Sequence, residues 1–311
     1  MRKDLISICL MLISASVSAQ WKIVNSGITK NLNSVCFTST GSGYAVGEEG
    51  TIIKTTDNGF SWAPLTSGTN NTLLSVNFIQ GDGTITGYAV GNSGTILKTE
   101  DYGETWKTIP SGTGTTLNSV YFIDEYNGYA VGGDVLTNTS ILLKTRDAGK
   151  TWTNIPVPVN TLLYSVCFSD TSLGMIVGEK GTILKTVDGG ADWTTLSAGT
   201  TNDLRSVHAI SLYLFYVVGF NGTVLKTEDA GSTWQIISTP ITNNLYGIHF
   251  TDNLSLVAAG ADGVIIQTTD GGKIWKKLPP VPFSPSFRAV FCTYSGSYAV
   301  GEKGKIYRMM E

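Results

Sequence analysis

The sequence is short of the residues on which most site chemistry depends. Among 311 residues there are only 2 histidines and 4 cysteines, and charged residues make up 14%. No Gly-x-Ser-x-Gly nucleophile motif and no metal-type His or Cys spacing occurs, so no catalytic residue, metal or cofactor is expected. Like charges do not gather into runs, which argues against a nucleic-acid or anionic-membrane surface. No stretch keeps a convincing helical period. The apolar run from Leu5 to about Val17 is too short to cross a bilayer.

That run belongs to "MRKDLISICLMLISASVSA", residues 1–19, with Arg2 and Lys3 before it and Val17-Ser18-Ala19 after it. This is the pattern of a secretory signal peptide, cleaved near Ala19. The mature chain is therefore expected to start at Gln20 and to be periplasmic or secreted. Lys plus Arg number 21 and Asp plus Glu 24, and loss of Arg2, Lys3 and Asp4 leaves a net charge of about −4. Cys9 departs with the leader, leaving Cys36, Cys167 and Cys292. Cys36 and Cys292 sit on first strands of units that ring closure makes neighbours. Their registers differ by one residue, which turns the side chains to opposite faces. Buried small-hydrophobe roles are favoured over a disulfide.

What the sequence has in abundance is glycine, 36 residues, between short β-branched and aromatic runs. These runs repeat. Each unit opens on Leu-x-Ser-Val-x-Phe, continues through Gly-Tyr-Ala-Val-Gly and Gly-Thr-Ile-Leu-Lys-Thr, and closes on Asp-x-Gly-x-x-Trp. The closing motif begins at Asp57, Asp101, Asp147, Asp188, Asp229 and Asp270 and ends at Trp62, Trp106, Trp152, Trp193, Trp234 and Trp275. Trp21 precedes Trp62 by 41 residues and belongs to a unit with no beginning. At the other end "FRAVFC", "SYAVG" and "GKIYR" form a unit with no Trp strand. The two halves complete each other. The reading is an all-β, seven-bladed β-propeller of four-stranded antiparallel blades, one domain over 20–311, whose last blade is closed by the N-terminal strand. The insertions around 80–87 and 133–140 are expected as loops.

The Asp-box, or BNR, motif paired with "GYAVGEEGTIIKT"-type strands at a spacing near 41 resembles the photosystem II stability/assembly factor propellers and their relatives in non-photosynthetic bacteria. The resemblance covers essentially 20–311. It implies a propeller that engages another protein, a membrane or envelope protein in that family's manner, through an arginine-rich face.

The six Asp-box carboxylates are read as structural, each accepting backbone N–H groups to hold its turn, with the Trp packing across the hairpin. A sialidase needs three arginines around a carboxylate, and only Arg205 and Arg288 lie near first-strand starts. A two-carboxylate glycosidase or glycan-binding propeller is the alternative, with Glu48, Glu179, Glu302 and Asp203 as candidates. Their bland reading is solvated turn residues. His208 and His249 share one repeat position and are read as packed variants, not ligands. Lys54, Lys98, Lys144, Lys185, Lys226 and Arg308 are read as solvated third-strand residues.

The position after the repeat Leu varies most usefully: Asn33, Leu74, Asn118, Tyr164, Arg205, Tyr246 and Arg288. In a propeller these converge at one mouth of the central channel. Tyr164, Arg205, Tyr246 and Arg288 would form an aromatic and cationic arc of the kind that anchors protein partners. The alternative is ordinary inter-blade packing. The expected function is a non-enzymatic, monomeric module that binds another protein, with a glycan as the alternative partner.

Overall fold

A computed structural model describes residues 20–81 and 84–310, and the leader expected at 1–19 lies outside them. Seven four-stranded antiparallel sheets form the ring. Blade 1 comprises Leu32–Phe37, Gly43–Gly47, Ile52–Thr55 and Ala63–Leu65, and the others repeat it. Blade 7 takes Phe287–Thr293, Gly296–Gly301 and Ile306–Met310 from the C-terminal end and its outer strand, Gln20–Val24, from the other. Gln20 to Val24 pair in register with Met310 back to Ile306. The short joints after the second strands are 3-10 turns such as Glu48–Gly50 and Glu179–Gly181.

Each second strand is packed on both faces, which is why it reads as an unbroken Gly-Tyr-Ala-Val-Gly run. The innermost strands leave N–H groups facing the channel, and the blade before supplies acceptors. Val76, Val120, Val166 and Val207 donate to the hydroxyls of Ser34, Ser75, Ser119 and Ser165 at 3.2–3.4 Å. The repeat Ser thus satisfies backbone groups of its neighbour, not of its own blade.

The Asp-boxes hold their turns as expected. Asp101 Oδ1 accepts from Thr105 N–H at 2.9 Å and Oδ2 from the Thr105 hydroxyl, while Thr99 Oγ1 accepts from Gly103 N–H. Those bonds hold the Asp57, Asp101, Asp147 and Asp229 carboxyls at about 2. The repeat Phe of four blades meets the closing Trp edge-on, at 5.9 Å for Phe78 and Trp106.

Neighbouring blades are latched through the Asp-box turn. The second-strand tyrosines Tyr44, Tyr88, Tyr129, Tyr216 and Tyr298 donate to carbonyls of Tyr102, Ala148, Gly189, Gly271 and Asn58 in the next blade at 2.6–2.8 Å. Val257 replaces the Tyr in blade 6, and blade 7 has no Asp-box to receive it. Blade 4 is different: Met175 faces an intact Asp-box at Asp229 and cannot form the latch. Where other seams stack Tyr on Phe, as Tyr88 on Phe122 at 3.8 Å, this one places Met175 opposite a blade whose matching residue is Ala209. The Met175→Tyr/Ala209→Phe double variant is expected to restore stack and hydrogen bond, adding about 1–2 kcal/mol and raising Tm by several degrees. A Tm at or below wild type in thermal denaturation would count against the latch.

Three expectations are corrected. The repeated cations are not solvated: Lys98 and Lys144 are 8% exposed and Arg308 7%. Lys98 and Lys144 lie over the Tyr88 and Tyr129 rings, and Arg308 stacks 4.0 Å from the Phe60 ring of blade 1 across the closure. Among the described residues, both insertions add paired strand. The first lengthens strands Leu73–Gln80 and Ile85–Gly91, and the second extends Gly128–Asp134 and Thr139–Thr145 into a projecting hairpin. Repetition with a longer hairpin keeps the backbone paired, which a loop would not. Third, Glu48, Glu179 and Glu302 are not merely solvated turn residues, because they accept from the backbone N–H of Asn31, Leu162 and Ser286, fixing the entry into the first strand of their own blades.

Candidate functional site

The ring encloses a central cavity of about 490 Å3 lined by the first strands of all seven blades. At the mouth beside the 3-10 turns stand Asn33, Leu74, Asn118, Tyr164, Arg205, Tyr246 and Arg288, as the repeat alignment expects. The structure gathers three of the four arc residues and sends the fourth elsewhere. The Arg205 guanidinium carbon lies 3.7 Å from the Tyr164 ring centroid and 5.8 Å from that of Tyr246. Phe220, 5.6 Å from the same carbon and edge-on to Tyr246, completes an aromatic box that sequence reasoning missed. Its signal was present: Phe220 occupies the turn position held by Glu48, Glu179 and Glu302 elsewhere.

Arg288 instead donates to Asn33 Oδ1 at 2.7 Å across the closure, and Asn33 Nδ2 donates to the Leu73 carbonyl at 2.8 Å. The Asn33 and Asn118 amides both cap first-strand carbonyls of the following blade. Arg205 has aromatic faces around it, but among the described residues no acceptor takes its N–H groups. A guanidinium held flat by rings with its donor edge unused is a preorganised receptor for a carboxylate or carbonyl. Burial pushes the Tyr164 phenol up to about 12, with Arg205 pulling the other way. The phenol donates to Glu179 Oε1 at 3.3 Å, so Glu179 braces the box.

The other end of the cavity carries Cys36, Asn77, Tyr121, Cys167, His208, His249 and Phe291. These side chains do structural work between blades: Asn77 Oδ1, Cys167 Sγ and His249 Nδ1 accept from Phe122, Ala209 and Cys292 N–H. The His208 and His249 rings lie 4.6 Å apart, and among the described residues no three His, Cys, Asp or Glu converge as metal ligands. The three cysteines are buried and unpaired, and burial raises Cys36 to about 11 and Cys167 and Cys292 to about 12.

Burial lowers His249 to about 4 and His208 likewise below its ordinary value. Both are neutral in the fold, whereas the unfolded chain takes up their protons near pH ~6.5. Their contribution is complete above that pH and is lost as pH falls toward 4, before the Asp-box carboxylates titrate. Urea midpoints should therefore drop between pH 7 and 5. The His249→Asn variant, which carries the residue blade 2 has there, should show a shallower drop; an unchanged slope would remove His249 from the account.

Fold and mouth together define a seven-bladed Asp-box propeller with an aromatic and cationic channel mouth. A family model described as Photosynthesis system II assembly factor YCF48 matches residues 13–111, 61–157 and 146–242, and the chain belongs to that family. A search of curated proteins finds no match. Among solved structures, YCF48 bound to D1 peptide is similar at 19% identity and TM-score 0.77, covering 94% of this chain and 97% of that one. YCF48 from Cyanidioschyzon merolae is similar at 17% identity and TM-score 0.77, covering 94% and 99%. Virginiamycin B lyase from Staphylococcus aureus matches at 13% identity and TM-score 0.80, covering 94% and 100%. At such identities the likeness is one of fold, which hosts enzymes and binding proteins alike.

Proposed function

We propose that this chain is a non-enzymatic, extracytoplasmic propeller that binds another protein at the mouth bearing Arg205, in the manner of an assembly factor. The observation that carries the reading is the Arg205 guanidinium, boxed by Tyr164, Phe220 and Tyr246, with no acceptor for its N–H groups among the described residues. Membership of the YCF48 family supports it, as does the similar fold of a family protein bound to a D1 peptide. The signal-peptide pattern of residues 1–19 supports location beyond the inner membrane, where a membrane or envelope protein is an accessible partner. The mouth carboxylates that a glycosidase would need are engaged: Glu48 with Asn31, Glu179 with Leu162 and Tyr164, Glu302 with Ser286. That favours binding over hydrolysis.

The test is crosslinking capture from the native envelope fraction, followed by titration of the captured, purified protein against wild type and Arg205→Glu/Arg288→Glu. Binding weaker by tenfold or more, about 1.4 kcal/mol, with the variant still folded by circular dichroism, is the expected result. Equal affinity for both forms would move the interaction away from this mouth.

A further inference from the structure

The seven units depart from their repeat in two places that share one consequence. In blade 3 the 3-10 turn is replaced by the extended hairpin Gly128–Asp134 and Thr139–Thr145, and its tip carries Val135 and Leu136, 70% and 94% exposed. Between blades 6 and 7 the linker "LPPVPFSPSF" is longer and proline-rich, and it carries Phe283, 79% exposed. Leu136 and Val135 are the most exposed aliphatic side chains among the described residues, and Phe283 is the most exposed phenylalanine.

Connectivity places both tips on the mouth face. Gly133 N–H donates to the Thr116 carbonyl, one residue before the first strand of blade 3 begins, so the hairpin projects past the start of that strand. Ser286, three residues beyond Phe283, accepts from Glu302 N–H and leads into Phe287 and Arg288. In a ring of seven, blade 3 and the joint between blades 6 and 7 stand half a turn apart. The tips therefore flank the mouth from opposite sides, with the Tyr164, Arg205 and Tyr246 group on the arc between them.

Both tips are held rather than loose. Ser140 Oγ donates to the Val159 and Thr161 carbonyls and accepts from Thr161 N–H, fastening the hairpin to the segment that delivers Tyr164. Tyr307 donates to the Pro282 carbonyl, and the Lys305 ammonium lies 5.0 Å from the Phe283 ring. Phe283 and Ser284 have φ of 65° and 39°, a left-handed pair without glycine. Such strain persists where the surroundings enforce a conformation, and here the conformation turns an aromatic ring to solvent.

Building on the reading of the mouth as a protein-binding face, we infer that its occupant is an extended protein segment laid across the channel, its carboxylate at Arg205 and apolar side chains on either side resting on Val135/Leu136 and on Phe283. The charge at the centre and the apolar contacts at the two rims specify an acidic residue flanked by apolar ones. Pre-positioned tips contribute area without an ordering cost, and fixed spacing between them makes the site selective for the separation of the apolar residues.

The probe is a set of fluorescein-labelled synthetic peptides, each with one Asp between two Leu residues at graded Gly/Ser spacings, with matched Leu→Ser and Asp→Asn peptides. Fluorescence anisotropy against wild type should select a limited range of spacings, with tenfold or greater weakening for the Leu→Ser peptide. Val135→Ser/Leu136→Ser and Phe283→Ser, surface changes that leave Tm unaltered, should each bind the Leu peptide more weakly and lose discrimination against the Ser peptide. If Arg205→Gln weakens binding but the tip variants bind every peptide as wild type does, the clamp is wrong and the mouth reading stands. If Arg205→Gln is also without effect, both fall. Failure of every peptide to bind overturns the extended-segment proposal, while loss of the captured envelope protein from the Arg205→Glu/Arg288→Glu variant would still support the mouth.

Discussion

Deletion of Gln20–Val24 is expected to lower Tm by about 10 °C or more, and to leave a protein that self-associates. The segment contributes a full outer strand paired over five residues with Ile306–Met310. Trp21 is buried among Val257, Phe287 and Tyr307, so its loss alone removes about 3–5 kcal/mol of packing. That approaches the whole stability of a marginal domain, and with each kcal/mol worth about 1.5–2 °C in a chain of this size, the lost strand pairing supplies the rest of the drop. The deletion also bares the Ile306–Met310 edge, the liability that closure removes. Thermal unfolding with light scattering reads both effects. A truncated protein with unchanged Tm would mean that the two ends of the chain do not hold the ring together.

The Gly91→Ala variant should cost about 3 kcal/mol, far more than its small change suggests. Gly91 is extended, with φ −172°, so strain in its own backbone is not the reason. An alanine Cβ there would sit 2.0 Å from the Thr72 carbonyl oxygen, which is held in place by the bulge between Leu73 and Ser75 and by Asn92 N–H. Backbone cannot swing aside as a side chain can, so the cost falls at the upper end for overpacking. Gly68 is the control. It has φ +77° and open space around its missing Cβ, so Gly68→Ala should cost only about 1 kcal/mol of conformational strain. Urea denaturation of both separates the two causes, and equal losses would refute the steric argument.

The same glycine shows how far local sequence could be read. Gly47, Gly132, Gly178, Gly219, Gly260 and Gly301 hold the same repeat position in the other six blades, each with a neighbouring carbonyl about 2 Å from a would-be Cβ. The repeat advertises the constraint although no single copy does. The Asp-boxes were legible for a related reason: Thr99, Asp101, Gly103 and Thr105 lie within seven residues, and their hydrogen bonds close locally. The repeated lysines were misjudged because their partners are a second-strand Tyr and the Asp-box turn of the next blade. Lys54 donates to the Tyr102 carbonyl, 48 residues away. Phe220 escaped notice for lack of a motif, though it stands where other blades carry Glu.

By itself the sequence determined the ring, the number of blades, the split seventh blade and the convergence of one variable position at the channel mouth. Each follows from a period near 41 residues and from hydrogen bonds and hydrophobic contacts that recur at fixed offsets. Only the tertiary structure decided what the variable residues do. Arg205 and Arg288 hold the same repeat position, yet one is stacked among three rings with no acceptor for its N–H groups among the described residues, and the other is bound to Asn33, 255 residues away. The difference comes from whichever side chain the next blade presents, Tyr246 in one case and Asn33 in the other. A repeat fixes where a residue stands, while its partner is set by the closing of the ring.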